Sequence, residues 1–143
     1  MEPNRREFIK NACGMCASTV GLASIAAVAQ SCSSMVTVQT NATSGKIAVP
    51  TSHFTAENNM VIIKNLAMEF DLVLVKLANE TFKAFELQCT HQANPLVPTK
   101  TGFFCNAHGS SFSLDGKVKK EPALKDLREF KIEIESNQII IIL

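Results

Sequence analysis

Two short motifs hold the residues of this sequence best suited to bind a metal: Cys89-Thr90-His91 and, after thirteen intervening residues, Cys105-Asn106-Ala107-His108-Gly109-Ser110. Thiolate sulfur and imidazole nitrogen both ligate borderline-soft metals, and C-x-H beside C-x-x-H can bring two of each to one place. One chemistry on offer is a zinc-stapled binding module with no redox role. No Ser/His/Asp set or carboxylate pair suggests another kind of catalysis, and His53 reads as an ordinary surface or packed histidine. The chain has five cysteines, and the odd count leaves at least one thiol with a separate job. Cys13, Cys16 and Cys32 all lie within the first 32 residues. Cys13-Gly14-Met15-Cys16 has C-x-x-C spacing, but it sits in an apolar stretch with no second pair to complete four ligands, so it reads as a bystander.

Something must hold the two motifs together, and the sequence from Lys46 onward supplies short apolar runs punctuated by turn residues, the pattern of strands. Expected strands are Lys46 to Val49, Met60 to Lys64, Leu72 to Leu77, Phe82 to Gln88, Gly102 to Phe104, Ser111 to Leu114, Glu129 to Glu135 and Gln138 to Leu143. In the penultimate one Phe130, Ile132 and Ile134 alternate with charged residues, which predicts one buried and one wet face. Asp115-Gly116 and Ser136-Asn137 mark tight hairpins. Pro122 to Arg128 is the one stretch suited to a short helical turn. So many brief strands predict an all-β domain, a small antiparallel sandwich or barrel. Its aromatic volume comes from nine Phe, with no Trp or Tyr.

At 143 residues there is room for one such domain and an appendage. The appendage opens MEPNRREFIK and then runs uncharged from Ala12 to Ser31, a basic region followed by an apolar one, as in an export signal. Arg5-Arg6 with Phe8, Ile9 and Lys10 resembles the twin-arginine signal, which implies a bacterial route that exports folded proteins, often with the cofactor in place. Three fates follow for residues 1–32: cleavage after Ala27-Val28-Ala29, lipidation at Cys32 after a loose lipobox, or retention as a membrane anchor. The product would be soluble, lipid-anchored or membrane-anchored on the periplasmic side. Residues 33–45, rich in Ser, Thr and Asn, read as a flexible linker to a domain over 46–143. A net charge of +1 offers no electrostatic footprint for nucleic acid.

The paired motifs, the Gly109-Ser110 that follows the second, and the terminal strand-turn-strand resemble the Rieske iron–sulfur domain, whose loops read C-x-H and C-x-x-H-G-S. The resemblance implies one [2Fe–2S] cluster, with Cys89 and Cys105 on one iron and His91 and His108 on the other. It implies that Ser110 donates a hydrogen bond to cluster sulfur, and that Pro122-Ala123 belongs to a segment covering the cluster. The chain also departs from the cytochrome bc-type members. Asn94 and Ala107 stand where those carry a disulfide, and Phe112 stands where they carry a tyrosine whose hydroxyl bonds a ligand sulfur. Fewer hydrogen bonds to sulfur favour the less negative, oxidised state, so the expected potential lies in the lower half of the Rieske range.

The implied activity is one-electron transfer by an exported or membrane-associated subunit of a respiratory oxidoreductase of the quinol–cytochrome c reductase kind. Its partners would be redox proteins such as a cytochrome b or c. A stand-alone Rieske ferredoxin serving another periplasmic oxidoreductase is the alternative. In either case the chain transfers electrons for an oxidoreductase and is not a self-sufficient enzyme.

Overall fold

The computed structural model describes residues 35–143. The proposed signal, with Arg5, Arg6, Cys13, Cys16 and Cys32, lies outside the described residues. Eleven strands follow in order: β1 (Val36–Gln39), β2 (Lys46–Pro50), β3 (Met60–Lys64), β4 (Leu72–Lys76), β5 (Phe82–Glu86), β6 (Val97–Thr99), β7 (Gly102–Phe104), β8 (Ser111–Ser113), β9 (Val118–Lys120), β10 (Glu129–Glu135) and β11 (Gln138–Ile142). One sheet has seven strands in the order β1-β3-β4-β5-β10-β11-β2; the other has four in the order β6-β7-β8-β9. The neighbours are antiparallel apart from β1 and β3, which run parallel. The all-β expectation holds.

β1 and β2 occupy opposite edges of the larger sheet, yet only Thr40 to Gly45 join them. Six residues span at most about 20 Å, so the sheet curls until its edges approach. Inside the curl, Ile47, Val49, Val61, Ile63, Leu72, Leu74, Ala84, Phe130, Ile139 and Ile141 form one core. They are alternate residues of their strands, as a period of two requires. On the other face of β3, β4 and β5, Met60, Ile62, Val73, Val75 and Phe85 form a second core with Leu87, Leu96, Phe103, Phe112, Ala123, Leu127 and both thiols, Cys89 and Cys105. These strands are covered on both faces, which is why MVII and LVLV read as unbroken apolar runs.

Several expectations need correction. The stretch read as a flexible linker contributes β1, whose Val36 and Val38 pack against the barrel core. Pro122 to Arg128 forms no helix. Its Leu127 N–H instead reaches Gly116 O at 2.9 Å, and its Ala123 N–H reaches the Ser110 hydroxyl. In β10 the buried face fades along the strand: Phe130 is 6% exposed but Ile134 is 60% exposed. Beyond Phe130 the strand pairs only with β11. The two hairpins fall as expected, with Gly116 at φ 82° and Ser136 at φ 53°.

Gly102, on β7 at φ 150°, brings two backbones into contact: a Cβ there would stand 2.0 Å from Phe112 O. Gly102→Ala should therefore cost about 2–3 kcal/mol of stability, the scale of an overpacked core. Its urea midpoint should fall accordingly; an unchanged midpoint would show that β7 and β8 can separate freely.

Candidate metal centre

The first ligand loop continues β5 past its end. Leu96 N–H bonds Leu87 O at 2.9 Å and Cys89 N–H bonds Asn94 O at 2.8 Å, closing the chain into a compact loop. Cys89 is thereby turned into the core at 3% exposure, while His91 stands exposed two residues on. The second loop spans β7 to β8. Cys105 N–H bonds Ser110 O at 2.9 Å and Gly109 N–H bonds Cys105 O at 3.0 Å, with Gly109 at φ 81° to make the turn. Cys105 is 1% exposed and His108 is exposed.

The four side chains meet two and two. Cys105 hydrogen-bonds to Cys89, and the His91 and His108 rings lie edge to face with centroids 5.0 Å apart. Neither cysteine is in a disulfide. Burial pushes the Cys89 thiol up, but backbone N–H groups of His91 and Gln92, with Cys105 and the Ser110 hydroxyl, outweigh it and hold its pKa below the ordinary thiol value. That hydrogen bonding favours thiolate, the metal-binding form.

A strap over residues 121–128 lies across both loops. Thr90 Oγ1 donates to Lys125 O at 2.5 Å, which ties the strap to the first loop. Ala123 N–H donates to Ser110 Oγ at 3.1 Å, which ties it to the second. Its far end is held by Asp126, which accepts from Val118 N–H at 2.9 Å and from Lys117 Nζ at 2.8 Å. The sequence motifs flagged Ser110 and Pro122-Ala123, and both lie here. Phe112 is 1% exposed in the core that also contains both thiols. Sequence reasoning missed the strap's fastenings at Thr90, Lys117 and Asp126; of these only Thr90, inside C-x-H, stood where a motif could have flagged it.

Fold and site together define a small curled-sheet metal protein whose adjacent loops offer a buried thiol pair and an exposed imidazole pair. A family model for the Rieske [2Fe-2S] domain matches residues 46–131, and the chain belongs to that family, whose domain binds a [2Fe–2S] cluster. Among solved structures, the plasma membrane Rieske protein PetC3 of the cyanobacterium Synechocystis PCC 6803 is 29% identical, with 51% of this chain and 77% of that chain covered and a TM-score of 0.47. A chain of a hyperthermophilic respiratory Complex III is 15% identical, with 94% and 91% covered and a TM-score of 0.53. A chain from the complex of reduced oxygenase and oxidized ferredoxin in carbazole 1,9a-dioxygenase is 17% identical, with 68% and 93% covered and a TM-score of 0.53. The last two share the fold. No curated protein sequence matches the chain.

The strap's ion pair sets a pH dependence. The hydrogen bond from Lys117, then that from Val118, holds the Asp126 carboxyl below its ordinary range, and Asp126 raises Lys117 in turn. A depressed carboxyl stabilises the fold above its unfolded pKa and loses that effect as pH falls through the folded value; the raised Lys117 contributes fully at neutral pH and loses its effect only as pH rises through its folded value. Asp126→Asn should therefore lower the urea midpoint at neutral pH and flatten its decline below about pH 4. Parallel declines in the two proteins would show that the pair contributes nothing.

Proposed function

We propose that Cys89 and Cys105 hold one iron of the [2Fe–2S] cluster and His91 and His108 the other, in an exported or membrane-associated one-electron carrier serving a respiratory oxidoreductase. The observation that carries the ligand assignment is the two-and-two grouping: paired thiols inside, paired imidazoles at the surface. A [2Fe–2S] cluster spreads its four ligands over two irons and so suits two pairs, whereas a single zinc ion takes all four at one point. When bound, the cluster supplies one-electron redox chemistry. The chain's own residues do the rest. Burial at Cys89 and Cys105 keeps water from the thiol side, His91 and His108 put conjugated edges where a partner can approach, and Ser110 donates to sulfur.

Export and membrane association rest on the resemblance of Arg5-Arg6 and its flanks to a twin-arginine signal and on the apolar run to Ser31. Among the described residues no helix is long and apolar enough to cross a membrane. Cys32 is the candidate lipid attachment point. The second reading, a stand-alone Rieske ferredoxin, is favoured by Asn94, Ala107 and Phe112, which remove the inter-loop disulfide and the hydroxyl expected of a high-potential quinol-oxidising subunit.

His91→Ala and His108→Ala should each abolish the Rieske EPR signal of the reduced protein, whereas Cys32→Ala should leave it intact and change only which cell fraction holds the protein. A colourless, zinc-containing, EPR-silent wild type would overturn the assignment. The potential should titrate in the lower half of about −150 to +300 mV. Phe112→Tyr should raise it by roughly 20–60 mV, the equivalent of one added hydrogen bond at about 59 mV per 1.4 kcal/mol; no rise would place that hydroxyl out of reach of the sulfur.

A further inference from the structure

A row of side chains crosses the small sheet and ends beside the metal loops. Val97 is level with Phe104, Phe104 with Ser111 and Ser111 with Lys120. Alternation puts this row on the face opposite the buried Phe103 and Phe112. At its end the Lys120 ammonium lies 3.9 Å from where a Cβ on Gly109 would stand, and Gly109 directly follows His108. Lys125 is exposed on the strap, and its carbonyl is bound by Thr90, the residue between Cys89 and His91. One lysine thus flanks each ligand loop, and the exposed residues of the loops themselves carry neither carboxylate nor ammonium.

These two charges are uncompensated. Lys46, Lys76, Lys83, Lys117 and Arg128 each pair with a carboxylate, whereas Lys120 and Lys125 pair with none among the described residues. Of the nearby acids, Asp126 is held by Lys117 and Val118. Glu69 and Asp71 line a hollow with Ala93 and Pro95 that no strap residue lines. Glu121 is exposed next to Lys120 in the chain, with exposed Lys119 on the other side. Without Glu2, Arg5, Arg6, Glu7 and Lys10, the 14 cationic and 13 acidic residues of the chain become eleven of each over residues 35–143. The domain as a whole therefore attracts a partner of neither sign. With a Debye length of about 10 Å at 0.1 M salt, a partner at the rim responds mainly to the charges nearest it.

We propose that Lys120 and Lys125 form a cationic bracket around the imidazole pair, and that the partner docking there is a redox protein whose own electron-transfer site is ringed by carboxylates. This deepens the reading of His91 and His108 as the cluster's outer ligands and rests on it. Carboxylates meeting both lysines bring the partner's redox group over the uncharged rim, where close contact strips water from no ammonium or carboxylate. An anionic bilayer is a poorer match, because lipid-binding patches gather about four to eight basic residues.

Electron transfer from the reduced full-length holoprotein to mitochondrial cytochrome c tests the bracket, with the basic native probe set against the same probe made acidic by succinylating its lysines. In each case one electron leaves the cluster and reduces one ferric haem. At about 10 mM ionic strength, Lys120→Glu/Lys125→Glu should slow the reaction with the succinylated probe at least about tenfold and speed that with the native probe. Both differences should vanish near about 1 M salt, where the Debye length is about 3 Å. Lys120→Gln/Lys125→Gln should give smaller changes in the same directions, and Lys120→Arg/Lys125→Arg should keep the wild-type rates. A changed cluster potential would move both probes the same way, so opposite signs belong to charge. Equal rates with the succinylated probe in wild type and Lys120→Glu/Lys125→Glu overturn the proposal, as does an effect seen only in binding to phosphatidylglycerol vesicles. A wild type with no Rieske signal, or one that reduces neither probe, removes the electron-carrier reading instead. Equilibrium binding of the succinylated probe then decides the bracket: Lys120→Glu/Lys125→Glu should weaken it at low salt, and unchanged binding overturns it.

Discussion

One buried hydroxyl joins the three pieces that make the site. Ser110, fully buried, accepts from Ala123 N–H in the strap and hydrogen-bonds to Cys89 in the first loop, while its own backbone belongs to the second. A hydroxyl has one hydrogen to donate. With Ala123 N–H occupying its oxygen, that hydrogen is free to point at sulfur. The contact also has a cost if broken: an unpaired buried N–H or hydroxyl loses about 1–3 kcal/mol. Loop one, loop two and strap are thus correct together or not at all.

Around Cys89 two effects oppose each other. Removal from water disfavours a negative sulfur, and hydrogen bonds aimed at that sulfur favour it. The hydrogen bonds prevail because the closed loop, held between Leu87 and Leu96, points the His91 and Gln92 N–H groups inward. Donors fixed before metal arrives need no rearrangement when it binds, and outer-shell contacts of this kind tune a centre's potential. The thiol side is part of the packed second core, so any adjustment there is resisted by Phe85, Phe103 and Phe112. The imidazole side has no such cover.

Much of this was legible because it is local. Cys-x-His and Cys-x-x-His-Gly-Ser give the donors and the turn in a few residues each, and unbroken runs such as LVLV announce central strands. The misses share a different cause. Val36 and Val38 alternate with Thr37 and Gln39 as a half-buried strand should, yet the Ser, Thr and Asn around them dominate the composition, and only the open β3 edge decides the matter. β6 is Val-Pro-Thr, and a proline argues against a strand unless that strand is an edge, which β6 is. Pro122 to Arg128 looked helical because nothing in its sequence says that its N–H groups are taken by Ser110 and Gly116. Ile134 kept the alternation but lost its covering layer beyond the reach of β5.

The exposed rim of the site follows the same logic of what packing leaves over. His91, Gln92, Ala93, Asn106, Ala107 and His108 all face water, and none carries a carboxylate or ammonium group. Beside them Leu124 is 82% exposed, on a strap whose neighbours Ala123 and Lys125 are held by hydrogen bonds. Of the strap's charged groups, Asp126 is occupied with Lys117 and Val118, while Lys125, next to Leu124, is exposed. Long-range steering depends on charge around the contact, whereas close-range fit depends on shape and apolar area. Charge near the rim comes from the flanking Lys125 and from Lys120, whose ammonium lies close to Gly109, so at the uncharged imidazole edges themselves discrimination among partners comes from contact.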